Sequence, residues 1–514
     1  MGTIKKQSIF SAIYVYIGIF IGYINVTLLY PTILGSEGFG FTRFLISTGA
    51  ILGVFAQVGL SGITIRFFPF FQDKENQHNG FLGLALLVPL IGVLLVTAFI
   101  LLFKGWVIER FQNPESLDLI TQYYLLLIPA FVFTVYYGIM EAYSTSLLKA
   151  AVPFFFREVF SRVYSFSLLI AYFLEWISFE QFMYLFVLEG GFRTIGVMVY
   201  LKWLGHLSFK IDWSVFRKPI FKEMLEYGLY TMLSRGSVFI ISGLDIIMIS
   251  ALLGFEYTGI YFAFLAATRL IVVPASSIGS IAAPMVAKAW KENDTTLIAH
   301  LYEKTANTQL VAGLLLFIGL WANLDNFVFI LERSGENFAI GKYVGVFIGL
   351  GNLFNVMTGI NGSIIVNSKL YRWDLTFVII LVILTYCTNY LLIPIYGIVG
   401  AALATMITVV LYNSIKLVFV WKNFDMQPFS SKTIQALIIG GLVLLLNFQL
   451  PYASDFLVNW TDNPVFWMLG DLFYRSAIIT LLYGSAVLYF NVSEDITVMV
   501  QNIYRKTVGL VLGK

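Results

Sequence analysis

Four ionisable side chains lie deep inside long apolar runs: Glu141, Arg235, Asp245 and Arg269. A guanidinium is a planar, permanently charged fork that matches phosphate oxygens, so Arg235 and Arg269 are the first candidates for holding an anionic substrate. Arg66, Glu189 and Arg193 sit nearer the ends of their runs, where long side chains reach toward a headgroup region. The carboxylates of Glu141 and Asp245 suit a coupling cation or a partner arginine. Uncharged polar residues keep helical register with these charges. At 100° per residue, Thr231, Arg235, Ser242 and Asp245 share an arc of about 80°. Thr258, Arg269, Ser276 and Ser280 line a second stripe, and Thr134, Tyr137, Glu141 and Thr145 a third. Asn352, Asn355 and Gly359 follow roughly the same spacing. Such faces supply mixed hydrogen-bond donors and acceptors beside the charges. The same residues admit a structural reading, with Arg235 paired to Asp245, or Arg269 to Glu141, as glue between helices.

The elements that must position them follow from composition. Of 514 residues, 59% are hydrophobic and 12% charged, with a mean hydropathy of +0.84. A soluble domain carries about 25% charged residues, so this chain has too little polar surface to cover a globule in water. Its apolar runs are each long enough to cross a hydrocarbon core of about 30 Å. The sequence predicts an all-α, polytopic membrane protein. Fourteen spans are expected near 8–34, 41–70, 80–103, 119–148, 154–174, 179–201, 223–253, 257–287, 301–322, 340–366, 373–394, 397–421, 432–450 and 466–490. The first is read as a retained helix because it exceeds a signal-peptide core of about 7–15 residues and more spans follow. A central charge facing lipid costs about 2.5–3.5 kcal/mol or more, so the four deep charges are expected to face a cavity or a partner.

Charge sets the orientation. With the N-terminus cytoplasmic, Lys and Arg crowd the inner loops and tails, from Lys149, Arg157 and Arg162 through Lys202, Lys210, Arg217 and Lys218 to Arg505 and Lys506. The outer ends keep Arg43, Lys104, Arg110, Arg333, Lys342 and Arg475, while the longer outer loops carry acids. This bias predicts an even number of spans with both ends inside.

A repeat underlies the pattern. Residues 34–40 read LGSEGFG and residues 253–259 read LGFEYTG, so L-G-x-E-x-x-G recurs 219 residues later. The same offset carries the first span onto the seventh and the sixth onto the twelfth. Six spans return the chain to its starting side, so the copies are parallel, with a substrate site expected where the halves meet. The expected organisation is an N-lobe over 1–206, a C-lobe over 207–422, and two further helices with a tail over 423–514. Glu37 and Glu256 of the repeated motif read as polar helix-end residues in water, with a gate or cation role as the alternative.

Residues 389–405 read NYLLIPIYGIVGAALAT, with a helix ending at Ile393-Pro394 and another opening at Gly397. This stretch resembles the C-terminal half of bacterial polysaccharide transporters. These are the O-antigen, teichoic acid and exopolysaccharide flippases of the multidrug/oligosaccharidyl-lipid/polysaccharide exporter superfamily. YINVTLLYPTILGSEGFGFTRFL (23–45) and GLSGITIRFFPFF (59–71) resemble the opening of the same proteins. The resemblance implies two six-helix lobes plus two helices, rocking to expose a central cavity flanked by helices one, two, seven and eight. It implies a flippase moving an undecaprenyl-pyrophosphate-linked oligosaccharide from the inner to the outer leaflet of a bacterial plasma membrane, for lipopolysaccharide or O-antigen synthesis. Arg235, Arg269, Asn352, Asn355 and Arg66 would then bind substrate, and Glu141, Asp245, Thr134 and Tyr137 would supply ion coupling or cavity polarity. The expected partners are the lipid-linked oligosaccharide, membrane lipids, a coupling cation and polysaccharide assembly proteins, with no nucleic acid. A cation-coupled drug exporter on the same scaffold is the alternative, and a glycan polymerase or ligase a more distant one.

Other chemistries lack their residues. The nearest approach to a phosphate-binding loop, GENFAIGKY (335–343), has the wrong spacing and Tyr where Ser or Thr is required. Neither nucleotide hydrolysis nor another enzymatic activity is expected, and no cofactor. His78, His206 and His300 lack zinc spacing and read as isolated surface side chains. Cys387 is the only cysteine, which excludes an intrachain disulfide.

Overall fold

The computed structural model describes residues 14, 17–18, 20–73, 75–335, 337–452 and 464–511, without the side chains of 234, 235, 237, 238, 241, 242, 334 and 503–511. Every regular element among the described residues is helical. This is what an apolar solvent demands, because backbone N–H and C=O groups must be satisfied within the segment itself. Nine helices among the described residues are long and apolar enough to cross a membrane, and shorter apolar helices accompany them.

In chain order these are α1 (Phe20–Gln57), α2 (Leu60–Phe71), α3 (Phe81–Leu102), α4 (Pro114–Ser146), α5 (151–173) and α6 (Phe179–Trp203). Then come α7 (Pro219–Leu252), α8 (Phe255–Glu292), α9 (Thr295–Ala322), α10 (Lys342–Met357) and α11 (Asn361–Asn367). The chain continues through α12 (Arg372–Phe424), α13 (Ser431–Asn447), α14 (Pro464–Tyr489) and α15 (Glu494–Val511). The described residues form two compact units, one up to Ala263 and one from Phe264, the boundary falling within α8.

Two of these helices are hairpins rather than rods. In α1 the guanidinium of Arg43 lies 4.6 Å from the ring of Tyr30, whereas thirteen residues of straight helix span about 20 Å. The chain reverses at Gly35, at φ 72° and ψ 174°. In α12 the hydroxyls of Thr388 and Thr408 meet at 3.0 Å, where a straight helix would hold them about 30 Å apart. That reversal falls at Gly397, at φ 59° and ψ −137°, three residues after the helix-stopping Pro394. α12 therefore contains the two spans expected over 373–394 and 397–421.

Other expected spans are bent. The run 41–70 divides where Val58 and Gly59 both turn left-handed, leaving α1 and α2. The run 340–366 divides at Gly359, φ 61°, into α10 and α11. The run 257–287 tightens to a 3₁₀ turn over Arg269–Val272. α15 occupies a stretch expected to be only a tail; Ile496 packs against the core formed by α9, α13 and α14, and Lys304 and Lys432 pair with Asp495 and Glu494 at 2.8 and 3.1 Å.

The repeated motif accounts for itself here. Gly254, like Gly35, has positive φ, at 112°. A Cβ built on Gly40 would collide with the carbonyl oxygen of Phe255, and one on Gly259 with that of Ser36. Residues 36 and 255 are equivalent under the 219-residue offset, as are 40 and 259, so the two copies pack on each other reciprocally. Phe41 packs edge-on and Phe44 tilted against Phe255 beside this contact, with ring centroids 4.9 and 5.3 Å away. Gly40→Ala or Gly259→Ala is expected to cost about 1–3 kcal/mol through forced backbone displacement. Gly319→Ala, on α9 with nothing near its Cβ position, should leave the melting temperature of purified protein unchanged or slightly raised.

Candidate functional site

Among the described residues of the first unit, α4, α5 and α6 build an ion-pair cluster. Arg157 pairs with Glu141 of α4 and, at 2.9 Å, with its neighbour Glu158. Glu158 also receives Arg162 at 3.0 Å, one turn further along α5. On α6, Arg193 lies 2.9 Å from Glu189, an ion contact without hydrogen-bond alignment, and stacks 4.8 Å from the ring of Tyr137. The Tyr137 hydroxyl donates to the carbonyl of Pro153 at 2.7 Å, fixing the ring that the arginine covers. Three carboxylates thus balance three guanidiniums in a span where an unpaired charge would be costly.

Backbone geometry brings the cluster together. α5 widens into a π-helical turn over Phe156–Phe160, which carries Arg157 and Glu158, and α1 does the same over Asn25–Leu29. Asn25 Nδ2 donates to the carbonyl of Arg162 at 2.8 Å. Gly18 and Gly22 leave room for Glu158 and for the Arg162 side chain at the same seam.

The expected site residues distribute as follows. Tyr137 and Glu141 enter the cluster, and Glu141 takes Arg157 as its partner. Thr134, on the same helix, is exposed and bonds its own backbone at Ala130. Asp245 is buried and accepts from the hydroxyl of Tyr261 at 2.9 Å. Arg66 is exposed and stacks 4.3 Å from Tyr227 of α7. Arg235 lies on α7, with its side chain outside the described residues. In the second unit, Arg269 is exposed at the 3₁₀ turn of α8, and Asn352 donates to the carbonyl of Thr268 at 3.2 Å. Asn355 accepts from Asn413 at 3.2 Å, and Asn413 from Thr358 at 3.3 Å. Glu37 and Glu256 are half-buried, each in the first turn after its glycine.

The sequence reading missed several partners. Arg157 and Arg162 were expected among the inner positive ends; they stand inside α5. Three charges in the predicted span 154–174 were a visible signal. Lys416, not singled out from the sequence, is buried, donating to Tyr412 Oη at 3.3 Å and packed over Gly362. The histidines require correction. His78 is buried, and its Nε2 lies 2.9 Å from Nδ1 of His206 with the rings stacked. The turn before α3 and the segment after α6 meet there, helped by Ser208 donating to Gln77 at 2.8 Å and Tyr143 to the carbonyl of His206. Among the described residues, no group of three or more potential ligands could hold a metal ion.

Residues 4–290 match the family model described as polysaccharide biosynthesis protein. The chain belongs to that family. A similar protein, named a probable low-salt glycan biosynthesis flippase, comes from Haloferax volcanii; it is 25% identical over 295 residues, 56% of this chain and 60% of that relative. The chain thus spans less than two thirds of that relative's length. A membrane protein of Methanocaldococcus jannaschii is 22% identical over 82% of this chain and 84% of its own. In fold, the chain resembles the lipid II flippase MurJ in an inward closed conformation, at TM-score 0.66 and 16% identity, covering 94% of this chain and 99% of that one. It also resembles an inward-facing multidrug resistance MATE family transporter of the MOP superfamily, at TM-score 0.60 and 15% identity, covering 80% and 94%. This family member is therefore a multi-pass membrane protein of the MurJ/MATE-like fold.

The pair on α6 tests how the cluster is held. Arg193→Met should destabilise the protein by about 2–4 kcal/mol, because it strands a buried Glu189. Glu189→Gln combined with Arg193→Met should recover most of that loss in a thermal double-mutant cycle.

Proposed function

We propose that this protein flips a polyprenyl-pyrophosphate-linked oligosaccharide across the membrane by alternating access, for polysaccharide biosynthesis. The undecaprenyl carrier of a bacterial plasma membrane is the specific form, with both termini cytoplasmic and lobes over 1–206 and 207–422 followed by 423–514. The observation that carries this reading is Arg269, an exposed guanidinium at a 3₁₀ turn in the middle of an apolar spanning helix. A charge at this depth is costly against lipid and needs a partner group or water around it; toward a water-lined path its planar guanidinium is a fork for phosphate oxygens. The family membership and the glycan-flippase relative support the same substrate class.

In this reading Arg269, Arg235 and Arg66 take the pyrophosphate, while Asn352 and Asn355 serve the sugar hydroxyls. Thr134, Tyr137 and the Arg157-paired Glu141 supply the remaining polarity, Asp245 adds polarity or binds a coupling cation, and assembly proteins receive the glycan outside. The engagement of Glu141 by Arg157 favours the flippase over a cation-coupled drug exporter, which would need that carboxylate free.

The test is the leaflet sidedness of lipid-linked glycan in cells lacking the chain and complemented at matched protein levels. Loss of one charge-assisted contact, about 1.5–3 kcal/mol, should slow outward movement roughly tenfold or more in Arg269→Ala. Glycan should then accumulate on the inner leaflet. Unchanged sidedness in the full deletion would reject flipping.

A further inference from the structure

Two features of the first unit meet at the seam between α1 and α5. One is charged: Arg157 and Arg162 remain 38% and 30% exposed in their side chains although both are carboxylate-paired. The other is apolar: a groove of about 190 Å³, lined by Ile21, Ile24, Asn25, Val163 and Phe166. Asn25 joins them. It is 2% exposed, its Nδ2 donates to the Arg162 carbonyl, and its Oδ1 has no partner among the described residues. Gly22, on the preceding turn of α1, lies against the Arg162 side chain. The π-helical turns of α1 and α5 flank the same seam, and such turns recur at functional sites.

We infer that this seam is a station for a lipid diphosphate, with Arg157 and Arg162 taking the phosphate oxygens and the groove taking the first apolar segment. Glu141 and Glu158 hold the two guanidiniums when the station is empty. The inference rests on the substrate class proposed above, and adds a place for it within a single unit. A diphosphate and a carboxylate compete for the same N–H donors. The two glutamates are therefore internal competitors of the ligand, and removing their charge strengthens binding. A purely structural cluster behaves in the opposite way, since neutralising a glutamate only loosens it. The orphaned Asn25 oxygen, between groove and guanidinium, is left for a hydroxyl or water carried in with the headgroup.

The probe is farnesyl diphosphate, titrated against the full-length protein in nanodiscs, with inorganic pyrophosphate and farnesol as separate arms. Glu158→Gln and, independently, Glu141→Gln should each tighten farnesyl diphosphate binding about tenfold, the equivalent of about 1.4 kcal/mol. Arg162→Gln should weaken it by a similar factor. Val163→Trp, which fills the groove without touching the charges, should weaken farnesyl diphosphate and leave pyrophosphate unchanged. Weaker or unaltered binding in both glutamate variants, at wild-type melting temperature, overturns the inference. So does pyrophosphate binding as tightly as farnesyl diphosphate, which would mean a site for free phosphate. Because binding is read here and glycan sidedness above, a failed station leaves the flippase reading standing, and a failed flippase reading is seen without reference to the station.

Discussion

The contact between Gly40 and Gly259 and the facing carbonyls of Phe255 and Ser36 is the constraint on which the first unit depends. A membrane interior offers helices little hydrophobic reason to associate, so close van der Waals packing has to do it. Glycine permits that packing where a Cβ would stand inside a carbonyl oxygen. Its effect extends beyond the contact: with α1 folded back at Gly35 and α8 turned at Gly254, the aromatic layer of Phe41, Phe44 and Phe255 closes around it. At the far end of α1 a comparable approach joins Gly59 to Gly228, where Thr231 donates to the Gly59 carbonyl at 3.4 Å. α7 and the start of α8 are thereby held to α1, which is why the first compact unit extends to Ala263.

With its backbone fixed at these points, the first unit can carry charge. The guanidiniums and carboxylates of α4, α5 and α6 are neutral as a set, yet not fully enclosed. Tyr137 shows how position is transmitted: its hydroxyl is anchored on the Pro153 carbonyl, and its ring receives Arg193. The second unit handles polarity differently. Asn355, Asn413 and Thr358 form an uncharged chain, and Lys416 is the buried cation near it. In the same unit Arg475 is enclosed by Asp471 and by the carbonyls of Asn447, which ends α13, and of Leu450 just beyond it.

Much of this architecture was legible in the sequence because the membrane imposes it. Among the described residues, apolar runs of the required length, the proline before Gly397 and the glycine of each L-G-x-E-x-x-G motif correspond to observed helices and breaks. The bend at Val58–Gly59 was not legible, because a left-handed valine leaves no trace in an apolar run. Partner choice was the larger loss. Glu141 was visible as an isolated carboxylate, but its pairing with Arg157 depends on a π turn that no spacing rule announces. His78 and His206 are 128 positions apart, and only the meeting of two connections makes them neighbours. The periodicity of Thr134, Tyr137 and Glu141 groups them by helical spacing, yet one turn of helix separates an exposed threonine from a buried tyrosine.

The reciprocal contact also has the form of an isologous interface, of the kind that joins two identical subunits around a twofold axis. In a true dimer one substitution would alter both sides at once. In a single chain the two sides are separate positions, free to diverge wherever the contact does not use the side chain. The motif displays that freedom at its third residue, Ser36 in one copy and Phe255 in the other. What that position contributes is a carbonyl oxygen, which every amino acid possesses, whereas the glycine facing it has no substitute.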